Sequence, residues 1–141
     1  MRVLGIDFGS KRIGLAISDE TGTIALGLDY LDGGSDKSVS EAIVRLASTR
    51  GVGKIVLGIP LRMNGQPSEQ TERTLRFLET LRRTTNLTIE RWDERLTTKQ
   101  AERALLEGDV RRKDRREKID QLAAQILLQS YLDAHNLTPE E

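Results

Sequence analysis

Three acidic residues lie at the edges of segments whose other residues are largely apolar. Asp7 ends the run RVLGID, Glu94 follows the run TIERWD, and Asp120 precedes an apolar helical pattern. An isolated carboxylate is costly to bury, so each acid needs a partner. Carboxylates that converge repel one another, and a divalent cation removes that conflict. Oxygen ligands select Mg²⁺ or Mn²⁺, and two such ions can activate water and stabilise the leaving oxygen of a phosphodiester.

Each acid also has an ordinary structural explanation. Asp7 is followed two residues later by a glycine and could begin a turn. Glu94 and its neighbour Asp93 could form surface ion pairs with the arginines on either side of them. Asp120, near the start of a predicted helix, could simply complement the helix dipole. The three acids together favour a metal site more strongly than any one of them does alone.

The strands that position these acids follow from runs of Val, Ile and Leu. The pattern predicts strands over residues 2–9, 12–18 and 23–28, joined by turns short enough for hairpins. Further strands are predicted over 54–59, an almost wholly apolar run, and 88–92. Three hairpin strands followed by α/β crossovers imply an α/β protein with a five-stranded mixed sheet, three strands antiparallel and two parallel, flanked by helices.

Helices are predicted between and after these strands. Apolar residues at helical spacing occur over 39–47, Ser68 can cap a second helix, and residues 97–100 form a capping box that opens a third. Residues 109–118 are polar and are predicted to be mobile, and a final helix is predicted over 119–134. If the fourth strand lies between the first and the fifth, Asp7 and Glu94 emerge at one end of the sheet. A helix packed there could bring Asp120 alongside them.

Length and composition exclude several classes of protein. The 141 residues are enough for one domain, which we expect to span 1–141. The absence of cysteine excludes disulfides, thiolate zinc sites and cysteine nucleophiles. Neither a signal peptide nor a membrane helix is evident, so we expect a cytoplasmic protein that does not associate with membranes. The 22 acidic and 22 basic residues cancel, and only local clustering can indicate a nucleic-acid partner.

Basic residues cluster near the predicted acid site. Lys11 and Arg12 lie at the tip of the first hairpin, and Arg95, directly after Glu94, could neutralise the acids or contact a scissile phosphate. The segment 111–118 carries six basic and two acidic residues, although such runs are often solvated faces. The candidate nucleic-acid contacts are Lys11, Arg12, Arg62, Arg95, Arg111, Arg112, Lys113, Arg115 and Arg116.

Four segments of the chain resemble the signature blocks of the YqgF (RuvX) family: GIDFGSKRIGLAISD, LGIPLRMNGQPSEQT, WDERLTT and IDQLAAQILLQSYLD. They span about residues 4–133 in the family's order. The family comprises bacterial proteins described as Holliday junction resolvase-like and as nucleases of small-subunit ribosomal RNA precursors. The resemblance implies a ribonuclease H-like fold and catalytic, metal-binding roles for Asp7, Glu94 and Asp120. Related resolvases add a fourth carboxylate, for which Glu117 and Asp93 are the candidates here.

Three functions are compatible with these features. The first is a nuclease, dependent on Mg²⁺ or Mn²⁺ (two ions are expected), that processes the end of pre-16S rRNA. The second is a Holliday junction resolvase, which would require a two-fold homodimer, whereas an RNA nuclease could be a monomer. The third is a ribosome-assembly factor that binds nucleic acid without cutting it. The opening also resembles the phosphate loop of actin-like ATPases, but those proteins need two lobes around the nucleotide.

Overall fold

The structure, a computed structural model, describes the backbone of residues 1–96 and 112–136 and the side chains of residues 1–95 and 122–136. The described strands are β1 (Arg2–Phe8), β2 (Arg12–Ser18), β3 (Ala25–Asp32), β4 (Val52–Ile59) and β5 (Thr88–Asp93). They form one sheet in the order β3-β2-β1-β4-β5. The pairs β1–β2 and β2–β3 are antiparallel, and β1–β4 and β4–β5 are parallel. The predicted mixed sheet is confirmed, including the placement of the first strand beside the fourth.

The described helices are α1 (Asp36–Arg50), α2 (Glu69–Thr84) and α3 (Arg112–Asn136), and a 3₁₀ turn (Glu94–Leu96) follows β5. The Ser35 side chain caps α1 by accepting from the amide of Ser38, and Gly51 ends this helix in the left-handed conformation. The Ser68 side chain caps α2 by accepting from the Thr71 amide, and the Thr71 hydroxyl accepts from the Ser68 amide in return.

The sheet is covered on both faces. Alternate residues of β1 and β4, such as Leu4 and Leu57, are buried together with apolar residues of α1 and α2. The other face packs against α3 and carries small residues, among them Gly5 and Ala16. A Cβ atom on Gly5 would lie 2.9 Å from Cβ of Leu128, so α3 lies unusually close to the sheet.

The contacts of α3 fix its direction across the sheet. Leu127 lies against Gly58 near the carboxyl end of β4, and Tyr131 accepts a hydrogen bond from Lys54 near the start of the same strand (Nζ to Oη, 3.1 Å). The helix therefore runs from the carboxyl ends of the parallel strands toward their amino ends. Earlier residues of α3 lie nearer the carboxyl end of β1. This is the edge of the sheet where Asp7 and Glu94 are predicted to meet.

Two elements, the third strand and the last helix, differ most from their predicted bounds. The third strand is Ala25–Asp32 instead of 23–28, because the Asp19 carboxylate accepts from the amides of Thr23 and Ile24 and extends the preceding turn. The last helix begins at Arg112 instead of residue 119, so the basic segment expected to be mobile is helical from that point on. This segment contains no glycine or proline and consists mainly of good helix formers. The helix predicted after residue 97 and the segment 109–111 lie outside the described residues. Within the described part of the chain, no helix has both the length and the apolar character needed to cross a membrane.

Candidate active site

Asp7 lies at the carboxyl end of β1, on the face of the sheet that α3 covers. Alternation along the strand places it on the same side as Val3, which belongs to the α3 core. Its neighbours across the sheet lack side chains. Gly14 of β2 pairs with Asp7, and Gly58 of β4 follows Leu57, the partner of Ile6. The Asp7 carboxyl group therefore occupies a hollow bordered by two glycines.

Glu94 reaches this hollow from the other side of β4. It is the first residue of the 3₁₀ turn after β5, and its side chain extends over Gly58. A Cβ atom on Gly58 would lie 2.7 Å from Oε1 and 2.8 Å from Cγ of Glu94, closer than atoms of these types can approach. The absence of a side chain at residue 58 is therefore what lets Glu94 cross from the fifth strand toward the first.

The carboxyl groups of Glu94 and Asp7 are hydrogen-bonded to each other. Loss of water around the Glu94 carboxyl raises its pKa to about 10, and the hydrogen bond and negative charge of Asp7 act in the same direction. Glu94 therefore holds a proton more tightly than an ordinary glutamate does. Two carboxyl groups in contact are a site where a cation can take the place of a proton.

Asp93 and Arg95, on either side of Glu94, form a tight pair. The guanidinium Nε of Arg95 donates to both carboxylate oxygens of Asp93 at 3.1 and 2.9 Å, and Nη2 donates to Oδ2 at 2.6 Å. This pairing holds the pKa of Asp93 below its ordinary value and raises the pKa of Arg95. The sequence left two roles open for Arg95, neutralisation of the acids or contact with a phosphate, and in the structure Arg95 pairs with the acid Asp93.

The third expected acid, Asp120, lies in α3. Because the helix begins at Arg112, Asp120 is two turns inside it, too far from the N-terminus for the helix dipole to explain its presence. It lies one turn before Ala124, and the direction of α3 places that turn toward the carboxyl end of β1. The side chains of Asp120 and of Glu117 lie outside the described part of the structure.

The donor set fits a hard divalent cation. Asp7 and Glu94 supply carboxylate oxygens only, the ligand type that such cations prefer. No group of three His, Cys, Asp or Glu that could hold a metal occurs among the described residues. A complete site would therefore need a further ligand, and Asp120 is the candidate from the sequence.

Three of the expected basic residues, Lys11, Arg12 and Arg62, lie near strand ends at this edge of the sheet. Lys11 is exposed at the tip of the β1–β2 hairpin, whereas the guanidinium of Arg12 lies over the Tyr30 ring, 4.6 Å from its centroid. Arg62 is exposed in the loop between β4 and α2. The side chains of Arg111, Arg112, Lys113, Arg115 and Arg116 are outside the described residues.

Sequence reasoning missed two residues that shape the site. Gly58 is one, although a glycine inside an apolar strand is a recognised sign of close approach by another group. Gln70 of α2 is the other, and its Nε2 donates to the carbonyl oxygen of Phe8 at 2.7 Å, directly after Asp7. Nothing in the local sequence distinguishes Gln70 from any other polar residue in a first helical turn.

Comparison with known proteins places this arrangement in a family. The model of the RuvX family, described as Holliday junction resolvase, matches residues 1–134. A protein of Myxococcus xanthus is 46% identical over 96% of this chain and 89% of its own length. A protein of Thermoanaerobacter pseudethanolicus is 45% identical over 95% and 97%. Both are named as candidate pre-16S rRNA nucleases.

Solved structures of low sequence identity share the fold. Thermus thermophilus RuvC, determined with a Holliday junction substrate, has a TM-score of 0.62 at 15% identity and covers 99% of this chain and 98% of its own. The fowlpox virus resolvase, determined with Holliday junction DNA, has a TM-score of 0.59 at 16% identity, covering 98% and 100%. The expected ribonuclease H-like fold is thus confirmed. The match along nearly the whole sequence, and the identity to its relatives, show that this chain belongs to the RuvX family.

Proposed function

We propose that this chain is a metal-dependent nuclease that hydrolyses phosphodiester bonds of structured nucleic acid, and that its substrate is the end of pre-16S rRNA. The observation that carries the proposal is the contact between Asp7 and Glu94 in a hollow bordered by glycines. The names of the relatives support the RNA substrate. Action on a ribosomal precursor would place the protein in the cytoplasm, as the sequence predicts.

The acids would hold Mg²⁺ or Mn²⁺. Asp7 and Glu94 would supply the first ligands and Asp120 the third, with Glu94 giving up its proton as the cation binds. A pair of such ions would activate water for attack on phosphorus and stabilise the leaving oxygen. The chain's own contribution is to keep the two carboxyl groups in contact before substrate arrives, so that no reorganisation is needed during the reaction.

The substrate would be held by the basic residues around this edge. Lys11, Arg12 and Arg62 lie on the hairpin and the loop that border the acids, and phosphate contacts from such residues position a nucleic acid without reading its sequence. The basic residues from 111 to 116 would extend this surface along the start of α3. Their combined contribution should appear as a steep fall of affinity with salt.

Cleavage of Holliday junctions is the second candidate, supported by the description of the RuvX family. Symmetric cutting of two strands would require a homodimer, whereas processing of an RNA end could be performed by a monomer. A non-catalytic assembly factor is less consistent with the site, because two carboxyl groups at the centre of a nucleic-acid surface would repel phosphate unless a cation intervened.

The test is cleavage of three labelled substrates: a pre-16S rRNA fragment, a four-way DNA junction and an unstructured single-stranded RNA. Each is incubated with Mg²⁺, Mn²⁺ or EDTA. We expect metal-dependent cutting of the rRNA precursor that Asp7→Asn abolishes. Asp29→Asn, which changes an exposed acid on the edge strand β3, should cut like the native protein. Preferential cutting of the junction would select the second candidate, and binding without cutting under every condition would refute both.

A further inference from the structure

We propose that Arg95 and Asp93 form a positioning clasp that holds Glu94 against Asp7 and fixes the neighbouring 60–68 loop, and that Arg95 is not a phosphate contact. The inference rests on the proposed function, because it assigns a role in the same site. It also changes the expectation from the sequence, which counted Arg95 among the nucleic-acid contacts.

The first half of the clasp encloses Glu94 itself. Asp93 Oδ1 accepts from the backbone amide of Arg95 at 2.9 Å, which closes a small ring around the residue between them. The guanidinium then binds the same carboxylate through Nε and Nη2. Residues 93 and 95 are thus locked to each other through backbone and side chain. This fixes the direction in which the Glu94 side chain leaves the backbone, toward Gly58 and Asp7.

The second half of the clasp reaches the loop between β4 and α2. Arg95 Nη1 donates to the carbonyl oxygen of Met63 at 3.5 Å, and a Cβ atom on Gly65 would lie 3.1 Å from the same nitrogen. Gly65 has a φ of 86°, a conformation that glycine adopts readily. The loop also has internal hydrogen bonds, from the Gly65 amide to the carbonyl of Arg62 and from the Gln66 amide to Oδ1 of Asn64. Arg95 connects this ordered loop to the residue beside Glu94.

The chemistry of the pair argues against a phosphate role for Arg95. Its planar fork is engaged with a carboxylate in bidentate geometry, the arrangement it would otherwise offer to phosphate. The two side chains are only 33% and 30% exposed, so the pair is not a freely solvated surface bridge. A phosphate could bind Arg95 in this same bidentate geometry only by displacing Asp93, which would leave that carboxylate unpaired next to a polyanion.

The test compares Arg95→Ala, Arg95→Lys and Asp93→Asn with the native protein. Arg82→Ala is the matched control, because Arg82 forms an exposed ion pair with Glu79 on α2. Three quantities are measured: amide exchange of Gly65 and Gln66, affinity for Mn²⁺ without nucleic acid, and the salt dependence of rRNA binding in EDTA. The first needs neither metal nor activity.

A clasp predicts losses in the first two quantities. In Arg95→Ala the loop amides should exchange about two- to fivefold faster, because the Arg95–Met63 hydrogen bond is long, at 3.5 Å, and belongs at the weak end of the usual range. Mn²⁺ affinity should fall about 10- to 100-fold, as for other residues that orient metal ligands. Arg95→Lys should recover little, since lysine keeps the charge but not the fork. Asp93→Asn should also weaken Mn²⁺ binding, and Arg82→Ala should change nothing.

A phosphate contact predicts the opposite pattern. Arg95→Ala would then leave loop exchange and Mn²⁺ affinity unchanged, weaken rRNA binding in EDTA and reduce its salt slope by about 1. That result would overturn the clasp. Native protein that fails to bind Mn²⁺ would instead refute the proposed metal-dependent reaction, and loop exchange would still decide for or against the clasp.

Discussion

Replacement of Gly58 by alanine should separate Glu94 from Asp7. The new methyl group would lie 2.3 Å from Cδ1 of Leu127 and 2.7 Å from Oε1 of Glu94. Unbonded carbon atoms prefer roughly 3.5–4.0 Å, so the overlap with Leu127 exceeds an ångström and both side chains must move. Overpacking of this kind costs about 1–3 kcal/mol of the free energy of unfolding. For a chain of this size, that is a fall in Tm of roughly 3–5 °C for each kcal/mol.

The effect on the site should be larger than the effect on the fold. Glu94 can avoid the methyl group only by turning away from β4, which removes its hydrogen bond with Asp7. We therefore expect Mn²⁺ affinity to fall about tenfold or more, as for other disturbed metal ligands. Isothermal titration calorimetry measures the affinity, and a thermal melt measures the stability of the same sample.

Gly27→Ala is the matched control, since Gly27 lies on the same face of the sheet and its Cβ would meet only the amide end of Gln125, with Oε1 at 3.3 Å and Cδ at 4.0 Å. That amide ends a flexible side chain, so we expect little change in either measurement. Combining Gly58→Ala with Leu127→Ala removes the overlap with α3 but not the overlap with Glu94. If Gly58→Ala binds Mn²⁺ as tightly as the native protein, or if the double variant regains full affinity, the explanation through Glu94 is refuted.

Three further predictions concern the surroundings of the site. Glu94 has a pKa of about 10 in the fold against an ordinary 4.5. Between these pH values the folded protein holds a proton that the unfolded chain releases. The free energy of unfolding of the metal-free protein should therefore fall as pH rises through this range. In thermal melts between about pH 5 and pH 9, Glu94→Gln should flatten that decline. An equally steep decline in this variant would exclude Glu94 as its source. Gln70→Ala leaves the Phe8 carbonyl without its partner, and we expect a loss of about 1 kcal/mol in urea unfolding and a lower kcat at unchanged KM. Tyr131→Phe removes the acceptor of a Lys54 hydrogen bond far from the acids, so it should cost about 1 kcal/mol in urea unfolding while Mn²⁺ affinity stays the same.

Strand order and the meeting of two acids could be predicted from the sequence. Short turns between the first strands and apolar runs separated by helices leave few sheet topologies. Once the first strand lies beside the fourth, Asp7 and Glu94 must emerge at the same edge. The boundaries were less predictable where side chains decide them, as with the Asp19 carboxylate that delays the start of β3.

The details of the site depend on contacts between distant parts of the chain. The path of Glu94 over Gly58, the support of Phe8 by Gln70 and the link from Arg95 to Met63 join residues far apart in the sequence or in different elements. No local pattern encodes such contacts. Roles for Asp7, Glu94 and Asp120 in catalysis therefore stay predictions, and the convergence of the first two is what the structure adds to them.

Binding of Mn²⁺ to the free protein tests the central claim most directly. Calorimetry in two buffers of different ionisation enthalpy gives both the affinity and the number of protons released. At pH 7, about the midpoint of the range in which Glu94 is protonated only in the fold, we expect the native protein to bind Mn²⁺ and release a proton. The Asp7→Asn variant should lose most of that affinity. Native protein that does not bind Mn²⁺, or Asp7→Asn that binds it equally well, would contradict a metal site at Asp7 and Glu94.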